Sequence, residues 1–205
     1  MAKAMPDDAF DEDFAGMLED LSFAAEVGDM SEEEVLAEAL AEYRFGPRDI
    51  AAAVGRAFMD KRAREAAFPL VTACDRLDAA FAELRQAGFV AIQAAGGSLE
   101  EGMALVEAAC AADEEDDRWA FVFFHLEDVE KAIDHGRMHL AFGTIPTAAG
   151  ERGQWPAEIA GDVVVEALHE AGLETVWDGT ASKRIQVRMT WQRRCPNGCA
   201  PTLLN

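Results

Sequence analysis

Basic residues are scarce in this chain. Eighteen Lys and Arg stand against 39 Asp and Glu, so its 205 residues carry a formal charge of −21. A surface of that sign repels phosphate backbones and anionic headgroups, which argues against nucleic acid or a membrane as the main partner. Cysteine is equally sparse. Cys74, Cys110, Cys195 and Cys199 are too few and too scattered for a disulfide framework in a chain this long. No apolar run approaches the roughly 18 to 20 residues of a membrane span, and no secretory core stands at the N-terminus. The expectation is a cytoplasmic protein. Catalytic signatures are missing too: there is no Gly-x-Ser-x-Gly elbow and no Cys/His nucleophile arrangement. Gly96-Gly97-Ser98 precedes a helix, but it lacks phosphate-loop spacing and is followed by Glu100-Glu101. It reads as a loop, and no cofactor is expected.

What remains is globular: 50% hydrophobic and 28% charged residues. The charge is segregated. Met1 to Glu42 holds 14 acids and one base, Lys3, whereas Ala181 to Asn205 holds five bases and no acid. Phe10, Phe14, Met17 and Leu21 repeat at helical spacing within an acidic segment from Asp7 to about Glu26. Ser31-Glu32-Glu33-Glu34 is a capping-box pattern that opens a second helix. Ile50, Val54 and Phe58 mark a third, from about Arg48 to Ala67. Residues 1–70 are therefore expected to be an acidic, all-helical region. Its amphipathic first helix is the expected contact for a protein partner or a second copy.

Beyond Cys74 helices alternate with strands. Trp119 to His125 is a nearly continuous apolar run, the pattern of a central buried strand. Ile185, Val187, Met189 and Trp191 alternate with Arg184, Gln186, Arg188 and Thr190, which predicts one buried and one wet face. Asp178-Gly179 supplies the hairpin turn before it. The expected fold class is α/β (α+β): about five strands in a mixed sheet with packed helices over residues 72–194, then a tail over 195–205. Ala80 to Ala91 and Val164 to Thr175 echo one another, each a helix ending in Ala-Gly and then a strand.

The densest chemistry is Phe123-Phe124-His125-Leu126-Glu127-Asp128-Val129-Glu130, where a strand gives way to a helix. Strand ends of open α/β sheets are common functional positions. His125, Asp128 and Glu130 have the groups for acid–base or metal chemistry; equally, the acids suit a helix N-terminus and His125 a structural partnership. Arg184, just past the Asp178-Gly179 turn, is the natural guanidinium partner for Asp128, Glu130 or Asp178. His135 and His139 flank Gly136 and so cannot be a helical zinc pair. Cys195 and Cys199 form a C-x3-C knuckle short of two ligands, so no metal site is expected.

From Cys74 to about Arg194 the sequence resembles a bacterial family, domain of unknown function 6891. The carrying stretches are CDRLDAAFAELRQAGFVAIQ, FVFFHLEDVEKAI, MHLAFGT and AGLETVWDGTASKRIQVRMTW. His125, Asp128 and Glu130 match its aromatic–His–acid run; Asp178, Gly179, Lys183 and Arg184 match its Trp-Asp-Gly and Lys-Arg-Ile elements. The resemblance implies a shared site at His125, Asp128 and Arg184, with Asp178, Lys183 and Arg184 as binding residues. It implies no reaction. Glu127 stands where relatives have glutamine, and Ala94-Ala95-Gly96-Gly97-Ser98 replaces a Cys-rich loop. Two functions are open: a non-enzymatic interaction or regulatory module, or a metal-dependent or acid–base hydrolase centred on His125, Asp128 and Glu130.

Overall fold

The computed structural model describes residues 7–112, 118–145 and 155–196. They divide into two compact units. One holds residues 7–70 with 192–196, the other Val71–Trp191.

The first unit is helical: α1 (Asp7–Val27), α2 (Glu32–Glu42) and α3 (Pro47–Glu65). Ser31 caps α2 as its sequence demands, with Glu34 accepting from the Ser31 N–H at 2.8 Å and Ser31 Oγ accepting from the Glu34 N–H at 3.3 Å. α2 ends at Glu42, ahead of Pro47, which belongs to the next helix. The proline occupies the first turn of α3, where its missing N–H costs nothing. Met17, Leu21 and Ala25 of α1 pack on Val35, Ile50, Val54 and Phe58. Phe14 is half-buried and meets Phe45 edge-on at 5.2 Å, while Leu18 is exposed. Phe10 lies outside the described side chains. Lys61 is fully buried, its Nζ 3.1 Å from Glu26 of α1. Residues 192–196 return to this unit: Arg194 Nη2 donates to the Pro69 carbonyl at 2.6 Å, and the Cys195 N–H to Glu65 at 2.8 Å.

The second unit is α+β. In chain order it comprises α4 (Ala73–Gln86), β1 (Phe89–Ile92), α5 (Leu99–Ala112), β2 (Ala120–Phe123), α6 (Leu126–His135), β3 (Arg137–Thr144), α7 (Ala157–Glu170), β4 (Glu174–Val176) and β5 (Ile185–Arg188). The five strands form one mixed sheet ordered β1-β2-β3-β5-β4, with β1 parallel to β2 and every other pairing antiparallel. The apolar run is therefore not central: β2 stands second from the edge and β3 in the middle. The two echoing segments end in β1 and β4, the outer strands. Their helices, α4 and α7, pack together.

Alternation decides what each face carries. Met138, Leu140, Ile185 and Val187 are all buried on the face that α4 and α7 cover. On the opposite face α5 covers the β1–β2 half through Val90, Val106, Phe123 and Ala141. The β3–β5–β4 half of that face stays polar, with His139 and Gln186 half-buried and Arg137 and Arg188 exposed.

Candidate functional site

His125 is the residue before α6, in extended conformation, and its N–H donates to Asp128 Oδ2 at 3.3 Å. This contact is the reverse half of a capping box: the acid three residues on satisfies a backbone donor that the helix leaves open. It also fixes the Asp128 carboxylate beneath the sheet. His139 pairs with Gln186, and Arg184 continues β5 on the same polar face. Three side chains consequently meet. Arg184 Nη2 donates to Asp128 Oδ2 and to the His139 carbonyl. His125 Nε2 lies 3.1 Å from Asp128 Oδ2 and 3.5 Å from Arg184 Nη1.

Burial sets the electrostatics. Asp128 is 0% and His125 3% exposed, whereas 29% of the Arg184 side chain reaches solvent. The pair is thus not the exposed contact, worth about 0 to 1 kcal/mol, that its polar-face position suggests. Desolvation holds the His125 imidazole below its ordinary value; Asp128 opposes that shift and Arg184 reinforces it. His139 is also held low, by burial first and then by Arg184. The shorter of the two Nε2 contacts assigns the His125 proton to Nε2, facing Asp128, so Nδ1 carries a bare lone pair. Nδ1, Asp128 Oδ1 and Arg184 Nε are buried without hydrogen-bond partners among the described residues. Each such atom costs about 1 to 3 kcal/mol.

Glu130 is not brought in. It lies exposed on α6, outside the cluster. Asp178 and Lys183 pair with each other at 3.0 Å in the β4–β5 turn. Thr180 donates to Asp178 Oδ1 from its hydroxyl at 2.7 Å and its N–H at 3.1 Å; with Lys183, these bonds lower that carboxyl to about 2. Trp177 Nε1 ties the same turn to the Thr180 and Lys183 carbonyls. The Gly96-Gly97 loop has its N–H group occupied, since Glu101 accepts from Gly97 at 2.7 Å. Among the described residues no three His, Cys, Asp or Glu side chains gather as a metal set. Cys195 is buried in the helical unit, and Cys199 lies outside the described residues.

A concavity of about 470 Å³ lies in the helical unit between the middle of α1 and the end of α2 with the residues that follow it. Glu12, Asp13, Asp20 and Glu42 rim it, Met17, Tyr43 and Phe45 supply apolar surface, and Arg44 is its one base. The Tyr43 hydroxyl donates to Asp20 at 2.8 Å. Desolvation and Asp20 push the phenol well above its ordinary value, so Tyr43 stays a donor.

The family model for a domain of unknown function, DUF6891, matches residues 11–195. The chain belongs to this family. The match takes in the helical unit from residue 11, so α1–α3 are part of what DUF6891 members share, beyond the segment from Cys74 on. No curated protein and no solved structure matches the chain. Sequence reasoning missed two participants of this DUF6891 chain's sites. His139 contributes its carbonyl to Arg184, and only the period-2 pattern of β3 could have placed it on the polar face. Tyr43 reads as one more apolar position of α2, but its hydroxyl sits at the acidic groove.

Proposed function

We propose that this protein is a non-enzymatic interaction module whose acidic helical unit docks a basic, amphipathic helix of a partner protein. The groove between α1 and α2 carries the reading. Four carboxylates border an apolar floor of Met17, Tyr43 and Phe45, the complement of a helix with one apolar stripe flanked by Lys and Arg. Exposed Leu18 and Leu40 extend apolar surface on the same two helices. The hydrolase alternative draws less from the geometry. A general base must reach its substrate's proton, but both His125 nitrogens are enclosed and Glu130 stands apart.

A fluorescent 18-residue Lys/Leu amphipathic peptide tests the docking by anisotropy. Binding should be saturable, should weaken as salt rises, and should fall at least tenfold in Glu12→Gln/Asp13→Gln/Glu42→Gln. Equal binding to that triple variant would overturn the assignment of the groove.

A further inference from the structure

Arginines concentrate at one end of the sheet. Register sets Arg188 of β5 directly opposite Arg137 of β3, with Glu174 of β4 on its other side. Like charges facing one another across a ladder repel. Arg76 of α4 reaches the same end, where its Nη1 donates to the Ala171 carbonyl at 3.3 Å. Gly172 makes room for it, since a Cβ there would collide with Arg76 Nη1. Arg76, Glu174 and Arg188 line one cavity of about 430 Å³, together with Gly136, Gly172 and Thr190.

None of the three arginines has an ion-pair partner among the described residues, in a chain with 39 acids for 18 bases. Capping α7 occupies one of the five N–H donors of Arg76, and the rest are uncommitted. A repelling pair with no acid between them is stabilised by an anion that bridges them. Guanidinium groups grip phosphoryl and carboxylate oxygens two at a time.

We infer that this end of the sheet binds a small dianionic ligand, a phosphoryl group or paired carboxylates, held between Arg76 and Arg188 with Arg137 adding charge. Glu174 weakens the grip and keeps affinity modest.

The full chain is titrated with inorganic phosphate and, separately, with citrate, against chloride at matched ionic strength, with melting temperature and calorimetry as readouts. A saturable rise in melting temperature is expected with at least one of the two. Phosphate alone identifies a phosphoryl source, and citrate alone a carboxylate one. Arg188→Gln should lose the response at least tenfold, each variant's response being read against its own melting point in anion-free buffer, because the change removes both the repulsion by Arg137 and the attraction of Glu174. Glu174→Gln should bind several-fold more tightly. No saturable response to either anion, or an undiminished one in Arg188→Gln, would each overturn the site.

Discussion

Replacing Arg184 with Met isolates what the buried cluster contributes. Asp128 has no solvent to retreat to, since its exposure is 0%. Without the guanidinium its carboxylate keeps only the His125 N–H at 3.3 Å and the imidazole at 3.1 Å. Removing one member of a buried ion pair costs about 3 to 5 kcal/mol, most of it from the charge left behind. Asp128→Asn should cost much less, about 1 to 2 kcal/mol. Arg184 keeps the His139 carbonyl and turns toward water through its exposed 29%. The double variant should then fall short of the sum by about 2 kcal/mol, because neutralising Asp128 removes the penalty that Arg184→Met incurs. Urea unfolding followed by tryptophan fluorescence measures this cleanly: Trp119, Trp155, Trp177 and Trp191 all belong to the α/β unit. Equal costs for the two single changes, adding without coupling, would refute the buried-charge account.

Four further outcomes follow from the same structure. Both His125 and His139 are held below their ordinary 6.5, so the unfolded chain binds protons that the folded one refuses, and stability should be full above pH 6.5 and decline below it; His125→Gln/His139→Gln should flatten that slope in denaturation at pH 5 to 7. The Asp178 carboxyl should titrate near 2 by NMR, and Thr180→Ala should move it up toward 3.8. Gly161→Ala places a Cβ 2.6 Å from Trp177 Cζ2 and 2.9 Å from Phe142, an overpacking expected to cost about 1 to 3 kcal/mol in urea unfolding; Leu21→Ala, emptying a 4%-exposed site in the helical unit, should cost about 2 to 5 kcal/mol by helical circular dichroism.

Features set by neighbours in the chain were legible beforehand. The Ser31–Glu34 box, the left-handed Gly136 that ends α6 and the alternation through Ile185 and Val187 all depend on a few adjacent residues. Chemistry alone offers Arg184 three acids, Asp128, Glu130 or Asp178, and only the fold selects Asp128. That Asp128 is buried could not be read, since an acid in a first helical turn normally faces water; strand order and register bring β5 over it. Thr72 caps α4 through Asp75, with the Thr72 N–H donating to Asp75 Oδ2 at 2.7 Å. That box escaped notice because Asp replaces the usual Glu or Gln. The sequence pattern runs the α/β segment on to residue 194, whereas Gln192 onward groups with the helical unit; Arg194 bonds to a carbonyl 125 residues away, which local pattern cannot show.

That return path makes the α/β unit a guest within a helical host. Pro69 and Arg194, 125 residues apart in sequence, are joined by a hydrogen bond, so the guest's entry and exit are held side by side. During synthesis the host's helices leave the ribosome first, yet their closing segment arrives only after the whole sheet has been made. The closure entropy of so long a loop grows only logarithmically with its length, so a prefolded guest adds little to the cost of sealing the host. The same architecture permits excision: a short turn spliced between Leu70 and Gln192 should leave α1–α3 able to fold, and a different domain could be installed in its place.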